Sequence, residues 1–295
     1  MQTIWYGLGL LVVFAGITVG AVTLWRWSRD WRGIRRPVRE KMLRPPGNSL
    51  REQLEKLDED FVGPFLFAVV LPPAVGVIVA LKTALYQPIP TSQAWAGLIL
   101  GFIAWVPGCY WLSRVARKRG DHFLGYQGEV LVAENLQELA RQGCYLFHDL
   151  QPEKSWNIDH IVVAPDAVLV VETKTRRKRS RSDDRAAHEV IFDGRVLHFP
   201  GWSDTHGLEQ AERNAGWVRD YLSKALAEPV KVEPVLALPG WWVRRKGRGK
   251  VYVVNPKEVR ALVRGRGGQM ISPEKAKRMQ QIAHALDQKC RDVEF

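Results

Sequence analysis

The chain has 295 residues and a formal net charge of +12, room for one ordinary domain plus extra elements and a charge that suits a polyanionic partner, nucleic acid or anionic lipid. Its three cysteines, Cys109, Cys144 and Cys290, are scattered and odd in number and form no CxxC pair. That argues against a disulfide framework and a structural zinc site and fits a reducing compartment.

Residues 4–25 carry no charge and are long enough to cross a hydrocarbon core of roughly 30 Å. Basic residues follow this run instead of preceding it, so a retained span is expected here and not a cleaved signal peptide. A second uncharged run starts at Pro64 and gives an expected span over 64–86; a third gives one over 94–113. The segment after the first run is dense in Arg and Lys, the link QPIPTSQ has none, and RVARKR follows the third run. The positive-inside rule then places the amino terminus outside, the 26–63 loop inside, and everything after Arg114 in the cytoplasm, at a cell inner or plasma membrane. Residues 1–119 would be a membrane region and 120–295 a cytoplasmic domain. Within the loop, Leu50, Leu54, Leu57 and Phe61 recur at helical spacing, which predicts a short amphipathic helix near the bilayer or against the cytoplasmic domain.

From Gly125 the periodicity changes. Residues 127–142 read as a helix stopped by Gly143. CYLFHDL reads as a strand, and IDHIVVA and AVLVVETK read as two strands joined at the turn pair Pro165-Asp166. EVIFDGRVLHF reads as a hairpin around Asp193-Gly194, and HGLEQAERNAGWVRDYLSKALA as a helix. VEPVLALPG and GKVYVVN read as strands; PKEVRALVR and the segment from Ser272 read as helices, the latter with Ser272 as N-cap and Pro273 at the first position. This order predicts an α/β domain with a mixed sheet flanked by helices.

The hairpin carries charges into otherwise apolar strands. With Pro165 and Asp166 at its centre, Ala164 faces Ala167 and, stepping outward, Asp159 falls opposite Glu172. Directly paired residues have Cβ atoms roughly 4.5–5.5 Å apart. Alternation puts Glu172 and Lys174 on one face and Thr173 on the other. Two carboxylates opposite one another repel; a hard divalent cation, Mg²⁺ or Mn²⁺, would remove that repulsion and suits phosphodiester hydrolysis, with Lys174 to orient water or stabilise developing charge. The alternative is a surface hairpin with a weak ion cluster. A one-residue slip in register would scatter the group. His160, as a strand neighbour of Asp159, points to the opposite face and is expected to be structural. No ligand spacing joins His148, His188, His198 and His206.

The stretch from GYQGE through LFHDL, NIDHIVVAPDAVLVVETKT and LEQAERNA resembles the nuclease-related domain (NERD) family, which is similar to the PD-(D/E)XK nucleases. The family pattern has a Gly-x-x-Gly-Glu helix start, an Ile-Asp-His strand, a Glu-x-Lys strand and a Gln at the head of a later helix. The resemblance covers about residues 125–227 and implies a restriction-endonuclease-like fold. It also implies metal ligands Asp159 and Glu172, a catalytic lysine at Lys174, a Glu129 that completes or tunes the metal site, and a Gln210 near the scissile phosphate. The basic run after Lys174 departs from the family's small polar continuation. Arg176, Arg177, Lys178, Arg179 and Arg181 leave the sheet beside the site and are candidates for holding a phosphate backbone. Arg244, Arg245 and Lys246, next to Trp241 and Trp242, form a second candidate patch. The expected function is a membrane-anchored, metal-dependent DNA nuclease; the alternative is a nuclease-fold module that binds nucleic acid or a protein without turnover.

Overall fold

The computed structural model describes residues 43–61, 91–153, 156–178, 188–264 and 271–292. The chain divides into two compact units, residues 1–42 and 43–295, and every described residue belongs to the second. The expected spans at 4–25 and 64–86, together with Arg179 and Arg181, lie outside the described residues.

Helix α1 covers residues 48–61. Helix α2, Thr91–Arg141, then runs for 51 residues with Pro107 inside it. The stretch expected to be a third span is the first part of this helix, which continues unbroken past the expected domain boundary at residue 119. Among the described residues, no helix is long and apolar enough to cross a membrane. Gly143, at φ +87°, ends α2 in the left-handed conformation that glycine adopts without penalty.

Strands β1 (Tyr145–Glu153), β2 (Trp156–Val163) and β3 (Val168–Thr173) form an antiparallel meander. The turn closes as the sequence predicts: Ala164 N–H donates to Ala167 O, and His160 pairs with Val171, Ile161 with Val170. Strand β4 (Glu189–Phe192) turns into β5 (Leu197–Phe199), where Asp193 Oδ1 accepts from the backbone N–H groups of Arg195 and Val196. Strand β6 (Trp202–Asp204) leads into helix α3 (His206–Leu226). Strands β7 (Val232–Ala237), β8 (Trp242–Arg245) and β9 (Tyr252–Val254) precede a 3₁₀ turn at Pro256–Glu258, helix α4 (Val259–Arg264) and helix α5 (Pro273–Asp292).

One central sheet is expected from the sequence, and the structure has two. The first runs β1-β2-β3-β7-β9, with β3, β7 and β9 parallel; the second runs β6-β5-β4-β8. The departure comes from β6 and β8, strands of three and four residues at the two ends of the second sheet, too short to show a period.

Strand alternation sorts the large sheet into two cores. On one face Ile161, Val163, Val168 and Val170 pack with Val218 and Leu222 of α3 and Ile282 and Leu286 of α5. On the other, Val162, Leu169, Val171 and Val235 meet Val132, Leu136 and Leu139 of α2. Each fully buried leucine here contributes roughly 1.5–3 kcal/mol. Glu172 follows Val168 and Val170 on the α3 side, where Asn214 donates to it; on β2, Ile158 and Ile161 both belong to this core, so strict alternation does not carry through Asp159.

Candidate functional site

Lys174 and Glu172 stand side by side, with Nζ 2.8 Å from Glu172 Oε1. Lys174 Nζ also donates to Gln210 Oε1 at 2.8 Å, and Asn214 Nδ2 donates to Glu172 Oε2 at 2.8 Å. The match is geometric. Four residues of helix rise about 6 Å, and two residues of strand advance about 6.6 Å, so the pair Gln210 and Asn214 meets the pair Lys174 and Glu172. Gly207 lets this happen: a Cβ there would lie 3.2 Å from Lys174 Cγ. Asp159 turns its Oδ2 to the Thr173 backbone N–H at 2.7 Å. The structure therefore brings Asp159, Glu172, Lys174 and Gln210 together.

Glu129 reaches the same cleft from α2. The cleft measures about 450 Å³ and is lined by Glu129, Asp159, Glu172, Lys174 and Gln210, with Ser49, Leu50 and Gln53 of α1 opposite. Glu129, Asp159 and Glu172 are all buried, and Glu129 Oε2 has no hydrogen-bond partner. Burial, then the charges of Asp149 and Glu172, push the Glu129 carboxyl up to about 8. Burial, then Glu172 and Glu129, hold Asp159 well above the usual carboxylate range. Burial also raises Glu172, opposed by Lys174 and, more weakly, by Arg213 and His206.

Sequence reasoning missed Asp149, Asn157, Arg44 and Asn214. His148 pairs with His160 and Leu150 with Ile158, so Asp149 sits level with Asp159 on the neighbouring strand. Asn157 Nδ2 donates to Asp149 Oδ1 at 2.8 Å. The signal for Asp149 was the register of LFHDL against IDHIV; for Asn214 it was the four-residue step from Gln210. The two histidines on the far side of β1 and β2 bring ring nitrogens to 2.9 Å, and burial holds His148 at about 4 and His160 well below its usual value.

The basic residues divide. Arg177 lines the cleft and pairs with Asp121 at 2.8 Å. Arg176 lines it too, but its guanidinium is held by Asp204 at 2.7 Å and lies over Trp202. Lys178 lies over Trp241, 5.5 Å from the ring centre. Arg244 pairs with Glu189, and Arg245 with Glu258 and Val253 O; neither these two nor Lys246 lines the cleft.

The donor set fits a hard divalent cation. Four buried carboxylates, Glu129, Asp149, Asp159 and Glu172, face two cations, Arg44 and Lys174, and the orphaned Glu129 oxygen lacks a donor. Among the described residues, no three or more His, Cys, Asp or Glu side chains stand arranged to hold a metal ion by themselves. Mg²⁺ typically takes one or two protein carboxylates and fills its shell with water and substrate phosphate, so a site with two carboxylates, as Asp159 and Glu172 would provide, lies within its chemistry.

No curated protein and no solved structure matches the chain. Residues 124–239, which contain Glu129, Asp159, Glu172, Lys174 and Gln210, match the family model of the nuclease-related domain, NERD.

Proposed function

We propose that this domain hydrolyses phosphodiester bonds in DNA with a divalent metal ion, Mg²⁺ or Mn²⁺. The observation that carries the reading is that Asp159, Glu172, Lys174 and Gln210 line one cleft, with Lys174 Nζ bound to both Glu172 and Gln210. Asp159 and Glu172 hold the cation. When bound, the cation stabilises negative charge at the phosphoryl oxygen and lowers the pKa of water. Lys174 spends two of its three N–H donors on Glu172 and Gln210, which leaves one for a phosphate oxygen. Gln210 fixes the lysine's direction. Asn214 fixes the plane of the Glu172 carboxylate. Arg177 at the cleft margin offers a contact to the adjacent phosphate. The apolar runs at 4–25 and 64–86 support anchoring of this domain at the cytoplasmic side of a membrane, as do the exposed Ile99, Val106, Tyr110 and Trp111 on α2.

A specific observation favours a second reading, a module that binds without turnover: both Glu172 oxygens are already engaged, by Lys174 and Asn214. Incubation of the purified full chain with supercoiled plasmid and Mg²⁺ or Mn²⁺ separates the two. Nuclease function gives nicked product, and Lys174→Ala lowers the rate by about 100-fold or more. Salt-sensitive DNA binding with no nicking, unchanged in Asp159→Asn, establishes the binding module instead.

A further inference from the structure

Helix α1 lies outside the stretch that matches the nuclease-related domain, yet it walls the cleft with Ser49, Leu50 and Gln53. It is pinned at its head. The Arg44 side chain is 6% exposed and Asp149 is fully buried, and Arg44 Nε lies 2.8 Å from Asp149 Oδ2. The same oxygen accepts from the Ser49 backbone N–H at 3.1 Å, and Gln151 Nε2 donates to Ser49 Oγ at 3.3 Å. Arg44 Nη2 donates to Glu52 Oε1 at 2.9 Å, and Asn48 Nδ2 donates to the same atom at 2.6 Å. Arg44 thus ties the strand acid to the first turn of α1.

That turn presses on Glu129. Gly47, at φ +70°, packs so closely that a Cβ would meet Tyr126 Cδ2 at 2.7 Å and Glu129 Oε2 at 3.6 Å. Leu50 Cδ1 lies 3.1 Å from where a Cβ of Gly125 would stand. Gly47 on one side and Gly125 of the Gly-x-x-Gly-Glu region on the other are therefore spent on docking this segment. Such close approach on both sides fixes where the Glu129 carboxylate sits relative to Asp159 and Glu172.

We infer that residues 43–61 complete the catalytic unit and that Arg44 is a positioning residue, acting through Asp149 and the Gly47–Ser49 backbone to hold Glu129 and the α1 wall of the cleft. The inference rests on the metal-dependent reading above. It makes the working unit discontinuous in sequence, with one wall contributed from before residues 62–90.

The test uses the full chain carrying Arg44→Gln together with Asp149→Asn. This pair removes one charge of each sign, so the net charge of the cluster is unchanged, and two neutral amides replace the ions. Mn²⁺ affinity by electron paramagnetic resonance is the primary readout, with thermal melting and plasmid nicking alongside. Lys275→Gln, which breaks the ion pair with Asp166 away from the cleft, is the control for simple loss of a salt bridge. The expected result is Mn²⁺ binding about tenfold weaker in the double variant, with a matching fall in kcat and a melting temperature no lower than the control's. Unchanged Mn²⁺ affinity and kcat in a double variant that melts like the parent overturns the inference and leaves the nuclease reading intact. A parent chain that neither binds Mn²⁺ nor nicks DNA removes the nuclease reading itself, and the positioning role with it. Should the double variant fail to fold, Gly47→Ala reads the same contact from the backbone side, with the same expected loss of Mn²⁺ affinity.

Discussion

Asn214 is fully buried and gives its only side-chain hydrogen bond to Glu172, while its own Oδ1 has no partner. Asn214→Leu would leave Glu172 Oε2 without a donor, a loss of about 1–3 kcal/mol. Urea unfolding should show it, and nicking should fall with it; a variant as stable and active as the parent would remove Asn214 from the site. Glu129 makes a second prediction, in pH. Its carboxyl sits at about 8 when folded against an ordinary 4.5, so the folded form holds a proton that the unfolded chain releases. The stabilisation is whole below about 4.5 and is lost as pH rises through about 8. Without divalent cation, the melting temperature should drop between about pH 7 and pH 8, above the range in which the buried His148 and His160 push stability the other way. Added Mn²⁺ should raise it more at the upper end, where the carboxylates are free to bind. A melting temperature that rises across this window contradicts the account.

Gly128, well inside α2, shows why the Gly-x-x-Gly-Glu stretch is written as it is. A side chain there would run into Thr175 Cγ2, in the segment that follows β3. Gly128→Ala should cost about 1–3 kcal/mol by overpacking, and Thr175→Ser should recover most of it by removing the offending methyl. Thermal denaturation of the single and double variants tests this; no recovery would place the strain elsewhere. What was legible at this scale follows from locality. The Pro165-Asp166 turn set the β2–β3 register, His160 against Val171, and Asp159, Glu172 and Lys174 line one cleft at its open end. Gln210 came through its helix and the family pattern. Asp149 was not legible, because its place depends on a β1–β2 register that shifts between Leu150 and Glu153 and on a backbone at φ +49°. Arg44 was not legible either, since its partner lies more than a hundred residues away. The basic cluster at Arg244 and Arg245 reads in sequence as a candidate nucleic-acid patch; β8 pairs it in a second sheet and sets its charges beside Glu189 and Glu258.

At the scale of the molecule, α1 and α2 change where the functional unit begins. The composition of residues 1–119 suggested a membrane region distinct from the domain, yet residues 43–61 and the later turns of α2 belong to the domain's own fold. Arg119 pairs with Asp58, and Arg44 with Asp149, so α1 is held to both α2 and the sheet. A chain starting at residue 62 would leave Asp149 buried without its cation, at a cost of about 3–5 kcal/mol. Its urea midpoint should fall accordingly, and a midpoint equal to the parent's would mean that α1 is a passenger. The proposed function requires one cation between two strand carboxylates. Crystals of the full chain soaked in Mn²⁺ address it directly through anomalous scattering. The account predicts a peak about 2.0–2.6 Å from carboxylate oxygens of both Asp159 and Glu172, with Lys174 Nζ withdrawn from Glu172. Saturating Mn²⁺ with no peak at that position, or with Lys174 still seated on Glu172, would contradict it.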